Sequence, residues 1–369
     1  MIKKRILFIT HSLHTGGAEK MLISLVNQLD YTAIDCSIIS YSENNSLAIH
    51  LNKEVNLITL PRKTKFDLGP IIKTRRYSKV FKPDAYFCIG FFTFFLIHLS
   101  NLLSSKKTRR IISYHTTIHR NRKNHLLMIF YSKFLTKKDQ IITVCKNQIT
   151  YTVKKYSIKR HYFTSIYNGV DTNFWRPANT IEETTLIRMK YGIPMDAKLI
   201  IQTAAFRPEK NHKAAIDAFN LLSKNGYNNL YLVFVGEGLL QSKMEDYVTQ
   251  LKLSDKIIFV GNQDNVLHYY WAANIFSLSS KEVETFSIAA LEALNCGLPC
   301  VLTNIGGANE MIENGVNGYL TNTHFEDIAF HWNKALVTDF DKNSISVKAK
   351  YKFSLKRMVD QYTQLINAN

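Results

Sequence analysis

The sequence predicts an α/β protein with two Rossmann-like domains, each a doubly wound parallel sheet covered by helices. Strand-like and helix-like segments alternate along the chain, which is the pattern of parallel sheets covered on both faces. The chain has 369 residues, too many for one ordinary core. Its hydrophobic content of 46% suffices for globular packing and argues against long disorder.

The first half of the chain is predicted to alternate strands and helices from its first residues onward. The apolar part of the N-terminal segment is too short for a signal peptide and is interpreted as a strand. The apolar run 89–103 falls short of the ~20 residues that span a membrane, so it favours a buried helix over a membrane-dipping segment. The predicted strands are 5–10, 36–41, 55–60, 85–89, 110–114 and 140–144, and the predicted helices are 18–29, 68–81, 91–103, 124–135 and one ending near 156.

A second alternating series follows the turn at 167–171. The pair Asn168-Gly169 readily supplies a positive φ there, as a hinge between domains requires. We therefore expect domains at 1–167 and 168–352, with ligands at the carboxyl ends of their strands. The predicted strands are 199–204, 231–236, 257–260, 275–278 and 300–303, and the predicted helices are 213–224, 239–251, 266–272, 286–294 and 353–367.

Positive charge is concentrated in the first half. Residues 1–170 hold 28 Lys and Arg against 8 Asp and Glu, a balance of +20, whereas residues 171–369 hold 19 against 21, a balance of −2. A merely solvated surface would not confine the excess to one half, so this half is expected to attract a polyanion. The candidates are nucleic acid and an anionic membrane leaflet, where each nearby Lys or Arg contributes roughly 1 kcal/mol. The basic residues cluster at 62–82, 106–110 and 120–138.

The cysteines and the Asp-x-Asp pattern argue against disulfides and metal sites. The five cysteines, scattered from Cys36 to Cys300, form no paired framework, which indicates reduced thiols in a cytoplasm. Cys296 and Cys300 have no second Cys or His pair nearby, so zinc is not expected. Asp339-Phe-Asp341 is interpreted as a solvated loop, and we expect no metal.

The most informative pattern lies within residues 284–318. Glu284 precedes a helix-forming run that contains Glu292. A Gly-x-Pro stop, a short strand and a Gly306-Gly307 turn that opens the next helix follow. An ionised carboxylate accepts hydrogen bonds from two hydroxyls at once, which suits the paired hydroxyls of riboses and sugars. The helix N-terminus beside Glu284 offers N–H groups and positive dipole to a phosphate. The segment is therefore expected to hold a ribose, a diphosphate and a sugar ring.

This segment resembles the donor-site signature of retaining glycosyltransferases of family 4, which have the GT-B fold. The Glu-x7-Glu spacing and the later Gly-x-Pro and Gly-Gly-x-x-Glu elements all match. The resemblance implies two domains facing across a cleft and a final segment, 353–369, that packs back on the N-terminal domain. It places Glu292 on the ribose and Glu284 on the sugar. The backbone of Thr285, Phe286 and Ser287 would contact sugar or phosphate.

Two further loops are assigned to the donor by the same resemblance. Family members place an Arg and a Lys, five residues apart, on the donor diphosphate after the first strand of this domain. Lys210 matches the lysine, whereas Ala205 stands at the usual arginine position and the available arginine is Arg207. Gly236, in Gly236-Glu-Gly238, resembles a turn that approaches the nucleotide base.

In the first domain, Gly16 and Gly17 join the first strand to the first helix. Glycines there let the backbone approach a ligand and leave the helix end facing a diphosphate, although a purely steric turn is an alternative. The turn lacks the Gly-x-Gly-x-x-Gly of dehydrogenases. His115 follows strand 110–114, and the resemblance implies a place near the transferring sugar. A hydrogen-bonded structural histidine is the alternative.

The sequence is thus interpreted as a retaining, metal-independent glycosyltransferase that uses a nucleotide diphosphate-sugar and no other cofactor. Catalysis is assigned to His115, Glu284, Lys210 and Arg207. The expected acceptor is a lipid-linked glycan of surface polysaccharide biosynthesis, such as lipopolysaccharide or capsule. The basic domain would lie on the cytoplasmic face of the cell membrane.

A non-hydrolysing nucleotide-sugar epimerase of the same fold is one alternative. A nucleic-acid-binding protein is the other, but it leaves 284–318 unexplained, so no nucleic-acid partner is expected.

Overall fold

Alternating strands and helices build two separate parallel sheets, one in each unit of the chain. The computed structural model describes residues 3–14, 16–64, 67–102, 104, 108–116 and 122–368. Contacts between Cα atoms divide the chain into one unit of Met1–Asn168 with Leu355–Asn369 and a second unit of Gly169–Ser354. The predicted fold class, two Rossmann-like parallel-sheet units, is confirmed.

The first unit is a seven-stranded parallel sheet with helices between its strands. Its elements before residue 168 are β1 (Lys4–Thr10), α1 (Gly17–Asn27), β2 (Ile34–Ser40), β3 (Asn56–Thr59), α2 (Gly69–Phe81), β4 (Ala85–Ile89), α3 (Phe91–Ser100), β5 (Arg109–Tyr114), α4 (Arg122–Ser132), β6 (Gln140–Thr143), α5 (Lys146–Tyr156) and β7 (Phe163–Ser165). The strand order is β3-β2-β1-β4-β5-β6-β7. It reverses between β1 and β4, and the helices that follow these two strands, α1 and α3, pack on opposite faces of the sheet. A crevice is expected at such a point, beyond the carboxyl ends of the strands.

Both faces of this sheet are buried. Ile6, Leu7, Phe8 and Ile9 of β1 are all fully buried, which explains why the strand is a continuous apolar run and not an alternating one. Helix α3 covers one face, and the prediction of a buried helix is confirmed for its described residues. No helix within the described ranges combines the length and apolar composition needed to cross a bilayer. Leu103 of the predicted run and four residues of the basic clusters lie outside those ranges: Lys65, Lys106, Lys107 and Arg120.

The second unit has a six-stranded parallel sheet. Its elements are α6 (Ile181–Lys190), β8 (Lys198–Thr203), α7 (His212–Lys224), β9 (Leu230–Val235), α8 (Gln241–Gln250), β10 (Ile257–Phe259), α9 (Leu267–Ala272), β11 (Ile275–Leu278), α10 (Ile288–Asn295), β12 (Cys300–Thr303), α11 (Ala308–Met311), β13 (Gly318–Thr321), α12 (Phe325–Val337) and α13 (Lys342–Phe353). The strand order is β10-β9-β8-β11-β12-β13. Here the order reverses between β8 and β11.

The core of the second unit lies between its sheet and helices α7 and α12. Trp332 of α12 is fully buried, and its Nε1 donates a hydrogen bond to Ser277 Oγ of β11 at 2.8 Å. That bond satisfies the indole N–H inside the core, as buried tryptophans require. This hydrogen bond joins α12 to β11 inside the core.

The last helix, α14 (Leu355–Asn367), belongs to the first unit. Met358, Val359, Tyr362 and Ile366 form its buried stripe and join the core that contains β1 and α1. Arg109 Nη1 of β5 donates a hydrogen bond to the carbonyl oxygen of Leu365 at 2.9 Å. The end of the chain therefore completes the packing of the first unit.

Candidate active site

The loops after β8 and β11 carry the charged side chains of the site in the second unit. These two strands are hydrogen-bonded neighbours at the point where the strand order reverses. Ligands of open parallel sheets bind beyond the carboxyl ends of the strands at such a point. The loop after β8 contains Arg207 and Lys210, and the loop after β11 contains Glu284.

Lys210 and Glu284 form an ion pair. Lys210 Nζ lies 2.5 Å from Glu284 Oε2, and the side chains are 23% and 17% exposed. Ser280 Oγ donates a hydrogen bond to the same carboxylate oxygen at 3.3 Å. An ammonium group suited to phosphate oxygens and a carboxylate suited to hydroxyls therefore meet at one edge of the sheet.

Gly306 holds the backbone that carries Glu284. Its φ is +58°, and a Cβ at this position would overlap the carbonyl oxygen of Glu284. Gly307 N–H donates a hydrogen bond to the carbonyl oxygen of Thr285 at 2.8 Å. Only glycine fits this close approach, so the Gly-Gly turn fixes the position of the Glu284 loop.

The N-terminus of α10 lies directly after this loop. Ser287 is its N-cap residue, and Ser287 Oγ accepts a hydrogen bond from Ala290 N–H at 3.2 Å. Phe286 is buried and packs edge-on against Phe353, with ring centroids 5.8 Å apart. The first turn of a helix has backbone N–H groups without intrahelical partners and a positive partial charge. Donors for an anion are thus anchored next to Glu284.

Glu292 lies one turn further along α10 and pairs with Tyr270 of α9. Tyr270 Oη donates a hydrogen bond to Glu292 Oε2 at 3.0 Å. Burial, together with the adjacent carboxylate, raises the pKa of Tyr270 well above its ordinary value, so the hydroxyl stays protonated and remains a donor. Sequence reasoning missed Tyr270, because it lies in a short apolar helix whose composition indicates only a packing role.

Arg207 and the Gly236–Gly238 turn flank the Lys210 loop. Arg207 is exposed, and its backbone N–H donates to the carbonyl oxygen of Ala205 at 2.8 Å. A Cβ at Gly238 would lie 2.7 Å from the carbonyl oxygen of Phe206, and Phe206 N–H donates to the carbonyl oxygen of Glu237 at 2.9 Å. The turn that contains Gly236 therefore packs directly on the loop that carries Arg207.

A buried histidine supports the same loop. The ring of His212 stacks on that of Phe206, with centroids 4.0 Å apart, and lies 5.3 Å from that of Phe234. Burial lowers the pKa of His212 to about 4, so the ring is neutral near pH 7. The sequence predicts no role for His212, which is an aromatic packing residue under the loop.

Of the candidate residues of the first unit, His115 lines a cavity of about 890 Å³, whereas Gly16 and Gly17 are not among its lining residues. Ala18 and Glu19 line it after β1, Gly90 after β4, and His115 after β5. The strand order reverses between β1 and β4, so this cavity lies where a parallel sheet is expected to bind a ligand.

The start of α1 is in contact with one of its own carboxylates. Gly16 is the N-cap residue, with extended backbone at φ −169°, and a Cβ there would overlap the carboxylate of Glu19. Burial raises the pKa of Glu19. The turn of Gly16 and Gly17 predicts a diphosphate at this helix end, but the carboxylate of Glu19 lies beside it. Glu19 was not among the predicted site residues.

His115 is linked by hydrogen bonds to the last helix. Its Nε2 lies 2.9 Å from Ser113 Oγ, which lies 3.4 Å from Tyr362 Oη of α14. Burial lowers the pKa of His115 to about 4. The ring is therefore neutral near pH 7 and can offer a substrate one donor or one acceptor but no positive charge.

Two family models match the chain and decide its family. The model described as glycosyl transferases group 1 matches residues 183–350, and the model described as glycosyltransferase family 4 matches residues 15–174. Together they account for most of the chain. The chain belongs to the group 1, family 4 glycosyltransferases.

Curated relatives of this glycosyltransferase include enzymes with different products. N-acetyl-alpha-D-glucosaminyl L-malate synthase of Bacillus anthracis is 27% identical over 188 residues, which are 51% of this chain and 48% of that protein. A Campylobacter jejuni protein, N-acetylgalactosamine-N,N'-diacetylbacillosaminyl-diphospho-undecaprenol 4-alpha-N-acetylgalactosaminyltransferase, is 27% identical over 266 residues, 70% of this chain and 68% of that protein. The chain spans about half the length of several curated relatives that it matches, the Bacillus protein among them.

A solved structure shows that the fold of this glycosyltransferase is GT-B. Anabaena Alr3699/HepE, solved in complex with UDP and glucose, superposes with a TM-score of 0.82 at 18% identity over 99% of each chain. The fold predicted from the sequence is confirmed.

The structure brings only some of the predicted site residues of this glycosyltransferase into contact. Lys210 touches Glu284, whereas the Glu292 carboxylate is bonded to Tyr270 and the Arg207 side chain is exposed. Thr285, Phe286 and Ser287 lie between Glu284 and the first turn of α10. Gly16, Gly17 and His115 belong to the first unit.

Asp341 and the five cysteines, which are residue types that bind metals, have structural roles here. Asp341 Oδ1 accepts a hydrogen bond from Ser344 N–H at 2.9 Å and caps α13. Across the part of the chain that the structure describes, no group of three or more His, Cys, Asp and Glu side chains is placed to hold a metal ion. The five cysteines are buried free thiols, and burial raises the pKa of Cys36 to about 12.

Proposed function

We propose that this glycosyltransferase moves a sugar from a nucleotide diphosphate-sugar to an acceptor hydroxyl with retention of the anomeric configuration. The observation that carries the proposal is the Lys210–Glu284 ion pair beside the N-terminus of α10. A cation suited to a diphosphate, a carboxylate suited to sugar hydroxyls and backbone N–H donors thus lie within one small region.

The chemical step breaks the bond between the anomeric carbon and the diphosphate oxygen. Negative charge grows on the departing diphosphate, where Lys210, Arg207 and the α10 N–H groups stabilise it. The acceptor oxygen bonds to the anomeric carbon from the same face, and its proton passes to an oxygen of the departing diphosphate. No protein nucleophile takes part, and we propose that these positive groups serve without a metal ion.

The remaining donor contacts follow the two carboxylates. Glu292 holds the ribose hydroxyls, with its carboxylate oriented by Tyr270. Glu284 holds hydroxyls of the transferring sugar, and the backbone from Thr285 to Ser287 contacts sugar or phosphate. The turn at Gly236 approaches the base. His115 positions the reacting groups through one hydrogen bond.

We further propose that the acceptor is a lipid-linked glycan of surface polysaccharide biosynthesis, used at the cytoplasmic face of the membrane. The Campylobacter relative is named for an acceptor on diphospho-undecaprenol. In this chain, α4 exposes Leu126 and Phe130 one turn apart, 63% and 45% exposed, beside the exposed cations Arg122 and Lys123. A basic helix with exposed apolar side chains can lie in an anionic headgroup layer without spanning it.

A thermal-shift panel of UDP-, GDP- and ADP-sugars tests the donor proposal. A ligand at 100 times its Kd stabilises the native state by about 2.7 kcal/mol, so one nucleotide is expected to raise the melting temperature clearly above the others. Isomerisation of the bound sugar nucleotide without an acceptor would favour the epimerase. Steeply salt-dependent binding of oligonucleotides, without any response to sugar nucleotides, would favour the nucleic-acid alternative.

A further inference from the structure

Two adjacent buried serines follow β11 at the edge of the second sheet. The strand ends at Leu278, and Ser279 and Ser280 are 1% and 0% exposed. A buried hydroxyl is expected to have a hydrogen-bond partner, because leaving it without one costs free energy. Ser280 Oγ donates to Glu284 Oε2 at 3.3 Å, and Ser279 Oγ donates to the loop after β8. The two serines therefore contact both loops of the Lys210–Glu284 ion pair.

Ser279 is bonded to the backbone that carries Lys210. Its Oγ lies 3.0 Å from the carbonyl oxygen of Lys210 and 3.1 Å from that of Asn211, and Gln202 Oε1 is a further acceptor at 3.1 Å. Asn211 has a φ of +51°, a left-handed conformation that residues other than glycine adopt rarely. The loop therefore turns sharply at Asn211, and the Ser279 hydroxyl holds the carbonyl groups on both sides of the turn. The direction in which the Lys210 side chain leaves the backbone depends on this turn.

Thr303, the last residue of β12, holds the loop that carries Glu284. Its side chain is buried, and its Oγ1 donates a hydrogen bond to the carbonyl oxygen of Ser280 at 2.6 Å. The next residue, Lys281, donates its backbone N–H to the carbonyl oxygen of Glu209 at 2.8 Å, so the two loops are also joined directly. The backbone that leads to Glu284 is therefore fixed on one side by β12 and on the other by the loop after β8.

We propose that Ser279 and Thr303 are positioning residues for the transfer of the sugar, and that they act through Lys210 and Glu284. Their hydroxyls set the separation and direction of the ammonium group and the carboxylate before the donor enters. The inference rests on the proposed transferase function, because it concerns the groups assigned there to the diphosphate and the sugar. A misplacement of about 1 Å can cost ~100-fold in rate, so the loss of either hydroxyl is expected to lower kcat.

The test measures the steady-state release of nucleoside diphosphate by the full chain, with the sugar nucleotide that gives the largest thermal shift as the probe. Ser279→Ala and Thr303→Val each remove one hydroxyl, and each is expected to lower kcat about tenfold with little change in KM. Thr303→Ser keeps the hydroxyl and is expected to retain most of the turnover. Equal losses in Thr303→Ser and Thr303→Val would overturn the role of Thr303, because side-chain volume would then explain the effect.

Double-mutant cycles test whether the hydroxyls act through the paired side chains. In a Lys210→Ala background, Ser279→Ala is expected to lower kcat by less than about twofold, because the group that it positions is already absent. The same is expected of Thr303→Val in a Glu284→Ala background. A defect that does not act through the ion pair would lower kcat by the same factor with and without the partner side chain.

Ser277→Ala is the matched control for lost stability. Ser277 lies two residues before Ser279, is likewise 1% exposed, and accepts the hydrogen bond of Trp332 inside the core. Removing its hydroxyl leaves a buried indole N–H without a partner, so the melting temperature is expected to fall while kcat stays unchanged.

The outcomes separate this inference from the transferase proposal. Wild-type kcat in Ser279→Ala or in Thr303→Val would overturn the inference, and so would independent, multiplicative losses in either cycle. An equal loss of kcat in Ser277→Ala would also overturn it, because lower stability would then explain the effect. Wild-type turnover in Lys210→Ala, or failure of the wild type to bind any sugar nucleotide, would instead count against the transferase proposal itself.

Discussion

The Nζ atom of Lys210 lies 2.5 Å from Oε2 of Glu284, although the two residues are 74 positions apart in the sequence. They meet because β8 and β11 are parallel neighbours, so the loops that follow them lie side by side at one edge of the sheet. Neither side chain is fully enclosed. The proposed sugar nucleotide would therefore contact both groups while the ion pair holds them in position.

Replacing Lys210 by alanine is expected to lower turnover more than it raises the Michaelis constant. The ammonium group is assigned to charge that develops on the departing diphosphate, and loss of one such donor typically costs about 100- to 1,000-fold in kcat. Steady-state kinetics with the preferred donor measure this. Lys213→Ala is the matched control, since Lys213 pairs with Asp217 on α7 at 2.8 Å. Near-normal turnover in Lys210→Ala, or a defect in Arg207→Ala alone, would contradict the assignment.

Changing the two glutamates is expected to separate nucleotide binding from sugar transfer. Losing a polar partner costs about 1–3 kcal/mol, so Glu292→Ala should weaken the free nucleoside diphosphate by roughly 5- to 150-fold. Glu284→Ala should leave that affinity unchanged and impair transfer. Tyr270→Phe removes only the hydroxyl bonded to Glu292 and should give a smaller loss of nucleotide affinity. Calorimetry with UDP or GDP tests this, and wild-type affinity and activity in both glutamate variants would exclude the donor site.

Stability is expected to fall as the pH falls from about 6.5 to about 4. Burial lowers the pKa of His115 and of His212 to about 4, below the ordinary value of 6.5. In this window the unfolded chain binds protons that the folded protein does not. Each histidine therefore contributes a slope of up to about 1.4 kcal/mol per pH unit, and neither contributes above pH 6.5. Urea unfolding midpoints across this range measure the slope. His212→Phe should flatten this slope, whereas changing the exposed His50 to asparagine should not. An unchanged slope in His212→Phe would contradict the buried, neutral state of His212.

Attachment to anionic vesicles is expected to depend on the basic residues around α4. In liposome flotation, the protein should float with anionic vesicles at low salt and much less at 1 M salt, where the Debye length is ~3 Å. Flotation should fall when four basic residues are changed together to glutamine: Arg122, Lys123, Lys137 and Lys138. It should also fall when Leu126 and Phe130 are both changed to serine. The control changes four exposed lysines of the second unit to glutamine: Lys224, Lys243, Lys348 and Lys350. Equal recovery with neutral and anionic vesicles would refute an electrostatic anchor.

The sequence predicted strands and helices well where apolar runs are bounded by turns. Strand 85–89 coincides with β4, and helix 68–81 begins one residue early relative to α2. Five elements were not predicted: β7, α6, β13, α12 and α13. β13 has four residues and begins at a glycine, which leaves little pattern to detect. Helix α12 has a buried stripe at Ile328, Ala329, Trp332 and Leu336, and this helical spacing is a signal that its sequence does contain.

The site was predictable where a local motif supplies it and not where tertiary contacts do. Glu284 and Lys210 were assigned from their motifs, and strand order explains their contact. Nothing local pairs Tyr270 with Glu292 or predicts that the carboxylate of Glu19 lies against Gly16. Such contacts depend on how helices are placed on the sheet, which the sequence pattern does not specify.

The most direct test of the proposed chemistry is proton NMR of the anomeric centre during turnover of the preferred sugar nucleotide. Transfer to an acceptor, or slow transfer to water, can be followed as the new anomeric signal appears. We predict that the first product carries the anomeric configuration of the donor and that its formation is strongly slowed in Lys210→Ala. A product of inverted configuration, or a sugar nucleotide epimerised with its bond to the diphosphate intact, would contradict the account.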